Sequence, residues 1–369
     1  MDNCVIPHGY KATALGIIPQ EWEVMLLGNL SNSISSGRNK HRDAHGQYPV
    51  FGSTGIIGYS STYEYEGPVI LVARVGANAG TLNFASGQYD VSDNTLIITI
   101  KQNVYDYNFA YNQLTHYKLN KLVFGSGQPL ITSKQLKNIR IPVPPLAEQR
   151  KIAEVLGVWD KAIEKQARLI EKLALRKRAL MQRLLSAKLR LPGFSEPWKK
   201  VKLGDVAELY QPQTIQSEDL SQTGYPVYGA NGLIGYYNNY NHEYPQVVIT
   251  CRGSSCGTVN FTPGKCWITG NAMVLNVDNN RDVNKSFFYY LISNSSCVNL
   301  ISGSGQPQIV RQPLLKFELR IPPLKEQTAI AEVLTAADRE IDLAKEKLER
   351  LRRQKRGLMQ QLLTGKKRI

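Results

Sequence analysis

Two stretches of the chain place apolar residues in alternating steps of four and three. One runs through Ile152, Leu156, Trp159, Ile163, Gln166, Ile170, Leu173, Lys177, Leu180 and Leu184. The other runs through Ile330, Leu334, Ala337, Ile341, Ala344, Leu348, Leu351, Lys355, Leu358 and Leu362. A mean step of 3.5 keeps one stripe turned toward a partner helix, so both series read as heptad seams. Residues 147–189 and 325–364 contain no proline and are dense in Ala, Leu, Glu, Lys, Gln and Arg. They are predicted as single long helices, with a seam of about 48 Å. Residues 16–146 and 191–324 have another texture, rich in Gly, Asn, Ser, Tyr and β-branched residues. Within them Val69 to Ala73, Thr95 to Ile100, Gln246 to Cys251 and Ala272 to Val277 read as strands between Gly/Asn turns.

The pattern occurs twice because the sequence does. Tyr48-Pro-Val-Phe-Gly-Ser-Thr-Gly-Ile-Ile-Gly-Tyr59 recurs as Tyr225-Pro-Val-Tyr-Gly-Ala-Asn-Gly-Leu-Ile-Gly-Tyr236, and Gly125-Ser-Gly-Gln-Pro129 recurs at Gly303 to Pro307. Pro144-Pro-Leu-Ala-Glu-Gln149 recurs as Pro322-Pro-Leu-Lys-Glu-Gln327, and the helical segments from 147 and 325 share 18 identities in 39 positions. Trp22, Leu27 and Gly28 are echoed by Trp198, Leu203 and Gly204. The chain is therefore two tandem copies, each a strand-rich globule followed by a helix. The expected fold class is α+β: two tandem mixed α/β domains separated by a long two-helix coiled coil. The expected segments are 1–146, 147–190, 191–324 and 325–369. The seam positions expected to pair are Ile152, Leu156, Trp159, Ile163, Leu173 and Leu180 with Ile330, Leu334, Ile341, Leu348, Leu351 and Leu358. Because the second globule joins the end of one helix to the start of the next, antiparallel helices need almost no span, and parallel ones would force the chain back about 60 Å. That predicts an antiparallel pair with pseudo-twofold symmetry and the first globule beside the C-terminal tail.

Charge changes the picture. The 369 residues carry 45 Lys+Arg against 30 Asp+Glu, a net +15, and +12 of it falls on the helical segments 147–190 and 325–369. Such a balance favours a polyanionic partner. The globules are close to neutral and offer Arg, Asn, Gln and Lys in Gly-rich loops, types that read base edges by hydrogen bonding. The candidates are Arg38, Asn39, Lys40 and Arg42 in one copy and Gln211, Gln213 and Gln216 in the other. Arg74 and Arg252 each end a strand before a small-residue turn, a geometry suited to phosphate.

No catalytic constellation appears. The five histidines have no counterpart in the other copy, no H-E-x-x-H or zinc-spaced Cys/His set is present, and Cys251, Cys256 and Cys266 read as buried thiols. The Gly-Ser-Gly-Gln-Pro segments lack a P-loop Gly-Lys-Ser/Thr and read as turns. No catalytic residue, metal or cofactor is expected. Five unevenly placed cysteines in a chain of this length indicate a reducing interior, and no apolar run approaches a membrane span. A cytoplasmic protein is expected.

The tandem architecture, the Pro-Pro-Leu-x-Glu-Gln openings, the Leu-Met-Gln at 180–182 and 358–360 and the Gly-Ser-Gly-Gln-Pro turns resemble the specificity subunits of type I restriction-modification enzymes, over nearly the whole chain. The resemblance implies a non-catalytic subunit in which each globule reads one half of a bipartite, asymmetric site on double-stranded DNA. It also implies two modification subunits docked on the helices and restriction subunits in the full complex. The alternatives are a recognition subunit of another phage-defence methylation system, or a coiled-coil scaffold with two protein-binding heads.

Overall fold

The computed structural model describes residues 6–40, 42–125, 129–229, 232–253, 255–295, 297, 300–303 and 307–369. The chain forms two compact units, Met1–Ala167 with Glu346–Ile369, and Arg168–Lys345. Each contains one globule and a part of each long helix, Leu146–Leu184 and Leu324–Leu362.

In the first unit a four-stranded antiparallel sheet has the order Ser31–Ser36, Thr95–Ile100, Val69–Ala73, Leu82–Ala85. Its middle strand Val69–Ala73 is buried along its whole length, which is why it is written as an unbroken apolar run. The helix Tyr107–Tyr117 begins at Asp106, whose carboxylate accepts from the Phe109 N–H. A second sheet, in the order Gly55–Ser60, Tyr48–Gly52, Gln88–Val91, Tyr65–Glu66, contains one parallel pairing. The second unit repeats this plan with Glu208–Tyr210, Ala272–Asn276, Val247–Thr250 and Val259–Phe261, and with Gly232–Tyr237, Tyr225–Gly229 and Trp267–Ile268. Here Asn284 starts the helix Lys285–Asn294.

The Pro-Pro-Leu-x-Glu-Gln repeat is a joint between globule and helix. Gln149 accepts from the Asp106 N–H and donates to the carbonyls of Val104 and Pro144; Gln327 does the same to Asn284, Asp282 and Pro322. Glu148 and Glu326 are buried, and each takes an indole N–H, from Trp22 at 3.1 Å and Trp198 at 3.2 Å. Each also takes a forked guanidinium from beyond the end of the other long helix: Arg368 on Glu148, Arg190 on Glu326. A buried carboxylate requires such a partner, which fixes why these residues recur together.

Within each unit the helical segments run antiparallel. In the first, Glu148 meets Arg368 and Asp160 meets Lys355 at 2.6 Å; in the second, Leu173 packs with Ile341 and Ala344, and Lys177 meets Asp338 at 2.5 Å. The lysines that interrupt both heptad stripes are thus the cations of matched interhelical ion pairs. Much of the apolar stripe goes elsewhere than helix against helix. Ile152 and Leu156 lie in the core of the first globule with Met359, Leu362, Trp22 and Phe109, and Leu358 packs against that core. Ile330 and Leu334 lie in the second core with Leu184 and Phe287, and Leu180 packs against it. Trp159, Ile163 and Leu351 are half-buried, and Leu348 is buried. A heptad stripe records only that a face is covered, and here the globules cover its outer turns.

Both helices stop with the same turn. Ala187 and Gly365 take positive φ, 59° and 72°, and the chain closes with Leu189 N–H on Arg183 and Lys367 N–H on Gln361. No helix among the described residues is long and apolar enough to cross a membrane.

Candidate nucleic-acid interface

The first candidate loop leaves the edge strand Ser31–Ser36 and is pinned by its backbone: Gly37 N–H to Thr95, then Arg38 and Asn39 N–H to the Val91 carbonyl. Arg38 and Lys40 stand outside, Arg38 82% exposed and only 3.9 Å-paired to Glu64. Arg42 is exposed too, and its methylenes cross Gly58, where an added Cβ would stand 3.0 Å from Arg42 Cδ. Asn39 is different. It is half-buried, and its amide donates to the buried Asp90, so it anchors the loop. His41 lies outside the described residues.

The matched loop follows Glu208–Tyr210. Gln211 Nε2 donates to the Gly270 carbonyl at 3.0 Å, and the Gln213 carbonyl accepts from Trp267 Nε1 at 3.3 Å. The Gln213 and Gln216 side chains are exposed. At the root of this loop Tyr210 O–H meets His242 Nε2 at 2.9 Å, while His242 Nδ1 meets Asn241 Oδ1 at 2.6 Å. Burial pulls the His242 value below its ordinary range, with Asp278 opposing, so the neutral ring donating from Nδ1 and accepting from Tyr210 fits the network.

Arg74 and Arg252 do not occupy the same place. Arg74 N–H bonds Asn94 and its carbonyl accepts from Ile131; in the other unit it is Cys251 that bonds Asn271 and accepts from Ile309. Val75, not Arg74, holds the bridge position of Arg252. In extended backbone one step turns a side chain to the other face, so the two guanidiniums leave their turns differently: Arg252 is exposed and Arg74 half-buried. The copies are offset by 177 residues through this turn and by 178 only from the Gly-Ser-Gly-Gln-Pro segment on, so the pairing of Arg74 with Arg252 used the later offset where the earlier one holds. Beside each turn lies a Gly-Ser-Gly-Gln-Pro segment, tied by Gly76 N–H to Pro129 and Gly253 N–H to Pro307; residues 126–128 and 304–306 lie outside the described residues.

Cys251 and Cys266 are fully buried, Cys256 half-buried, and burial pushes the Cys251 thiol up to about 11. These are inert thiols. Among the described residues no group of three or more His, Cys, Asp or Glu is placed to hold a metal ion.

The arrangement is found in known proteins. The family model for the type I restriction modification DNA specificity domain matches twice, at residues 19–174 and 195–353. The type I restriction enzyme MjaVIII specificity subunit of Methanocaldococcus jannaschii is 24% identical, with 95% of this chain and 94% of that protein covered. Among solved structures, the type I restriction-modification S subunit of M. genitalium superposes with a TM-score of 0.66 at 19% identity, over 93% of this chain and 96% of that one. A chain from a type I R-M system structure on complex assembly and conformational transition gives 0.57 at 19% identity, over 94% and 99%. Both superpositions speak for the fold. With the family model covering both units, the chain belongs to the type I restriction-modification DNA specificity family.

Proposed function

We propose that this chain is the non-catalytic, cytoplasmic specificity subunit of a type I restriction-modification complex, each unit reading one half of a bipartite, asymmetric target on double-stranded DNA. The observation that carries this reading is a contrast. The two units repeat the Trp–Glu–Arg joints and the sheets, yet of the loops leaving the matched edge strands one, 37–42, carries Arg38, Lys40 and Arg42, and the other, 211–216, carries three glutamines and no charge. A fixed frame with two unlike loops suits two unlike half-sites. Arg38, Lys40 and Arg42 fit guanine edges or phosphate, and Gln213 and Gln216 fit adenine edges. Asn39 and Gln211 position these loops, and Arg252 serves as a phosphate contact more readily than Arg74. Domain boundaries at 146/147, 190/191 and 324/325 separate reading from spacing. The long helices set the spacer and carry two modification subunits, which methylate adenine; restriction subunits join for cleavage.

The test is to co-express the chain with its modification subunits and map methylated adenines in DNA. A two-part motif with a constant spacer is expected, and replacing residues 211–216 should change one half only. A continuous or palindromic motif, or a loop exchange that alters both halves, overturns the reading. Inserting one helical turn, about 5.4 Å, at matched points of both long helices should lengthen the spacer by roughly one or two base pairs.

A further inference from the structure

One repeated segment of the chain is a hairpin that holds an exposed apolar residue on its second strand, close to the turn. In the first unit it pairs Tyr48–Gly52 with Gly55–Ser60, and in the second Tyr225–Gly229 with Gly232–Tyr237. The register is the same, and both hairpins carry a bulge at the same step, after Val50 and after Val227. The bulged isoleucine folds onto its own hairpin: a Cβ on Gly52 would stand 2.6 Å from Ile57 Cδ1, and one on Gly229 would stand 3.0 Å from Ile234 Cδ1. The preceding residue is left outside, Ile56 54% and Leu233 49% exposed, and in the second unit Ile234 stands 43% exposed beside it. A ring pair braces each hairpin, Tyr48 with Tyr63 at 4.8 Å and Tyr225 with Tyr240 at 4.9 Å. Bulges commonly re-aim a side chain, and two units that agree on this detail while their loops diverge have kept an outward apolar residue in one position.

Resting on the specificity-subunit reading, we propose that each hairpin is an apolar finger that wedges against a base step of duplex DNA beside the loop that reads it. Each finger is bonded to the chain that follows the loop. Asp43 N–H, just past Arg42, donates to Tyr59 at 2.8 Å, and Ser221 exchanges two hydrogen bonds with Tyr236 at 2.8 and 3.1 Å. In the first unit the Arg42 side chain crosses this hairpin at Gly58, a positive charge of the kind expected beside a side chain that enters a groove. Two half-sites of different sequence share only the duplex itself. An apolar side chain gains nothing from phosphate, so its target in both is the stacked bases, where Ile and Leu serve as wedges in other DNA-bending proteins.

The experiment uses the complex of the full chain with its modification subunits. Ile56→Ser and Leu233→Ser, singly and together, are compared with Ile56→Val by binding to target and unrelated duplexes, and by 2-aminopurine fluorescence at steps inside each half-site. Both residues are half exposed and lie outside the packed cores, so the variants fold, which a melting curve verifies. Each Ser variant should bind about tenfold more weakly to both duplexes, and should lose the fluorescence rise in its own half-site alone, with Ile56→Val restoring it. Ser variants that bind within about twofold of the parent overturn the proposal. So do variants that fail to assemble with the modification subunits in the absence of DNA, which would make the finger a protein contact. A parent complex with no sequence-selective duplex binding would instead bring down the specificity-subunit reading itself.

Discussion

Arg190→Ala isolates one joint of the fold. Glu326 is 1% exposed and the Arg190 side chain 25%; the guanidinium reaches both carboxylate oxygens, at 2.6 and 2.8 Å, and Trp198 adds a third donor. Removing Arg190 strands a buried charge with one neutral donor. Breaking a buried pair in this way costs about 3–5 kcal/mol, and the partial exposure of Arg190 puts this case near 3 kcal/mol. For a unit of this size that lowers the melting temperature by roughly 6–12 °C. Arg368→Ala should cost about 1–2 kcal/mol, because its guanidinium is 40% exposed and solvent already screens it. Replacing Arg190 and Glu326 together by Met should recover most of the loss, since the buried charge is gone. Calorimetry of the full chain gives the magnitude, and hydrogen exchange locates the opening, which is expected around Trp198 and the start of Leu324–Leu362. An Arg190→Ala chain within about 0.5 kcal/mol of the parent would refute the argument that Glu326 depends on its guanidinium, and a double Met variant worse than the single would refute the electrostatic origin of the cost.

Ala187 holds a left-handed turn that Gly365 holds in the other copy, so Ala187→Gly should stabilise by about 0.5–1 kcal/mol in urea unfolding. Gly365→Ala should destabilise, because its Cβ would stand 2.3 Å from Pro19 Cδ. Acid should weaken the second unit through His242. Its folded value lies below the ordinary 6.5, so as the pH falls below about 6.5 the unfolded chain takes up the proton first and stability declines until the folded ring is also protonated. His242→Gln should flatten that part of the pH–stability curve. Arg252→Ala should weaken binding to any duplex and lower the slope of log affinity against log salt by about one, while Arg74→Ala, half-buried and one register step away, should change the slope less.

Much of the fold was legible in the sequence. The duplication, the helix bounds to within a few residues, the strands Val69–Ala73 and Thr95–Ile100 and the two divergent loops all follow from period, composition and self-comparison, because local patterning is enough to specify them. Which loop residues face outward was not legible. Asn39 and Arg38 are neighbours of similar promise in sequence, and only the approach of Asp90, 51 residues away, turns one of them inward. The hairpin was in plain view as a repeat, yet a repeat does not reveal that Ile56 and Leu233 are exposed.

The sequence alone determined that two copies exist, that each ends in a long amphipathic helix, and where they differ. Tertiary structure decided that the outer turns of the heptad stripes belong to the globule cores, that Glu148 and Glu326 are clamped by arginines from the far ends of the opposite helices, and that Arg74 stands where Cys251 does. The physical reason is common to all three. Period and composition report what a segment must bury, whereas the identity of the partner depends on contacts between residues far apart in the chain, from 20 positions for Arg74 and Asn94 to 220 for Glu148 and Arg368, which no local pattern records.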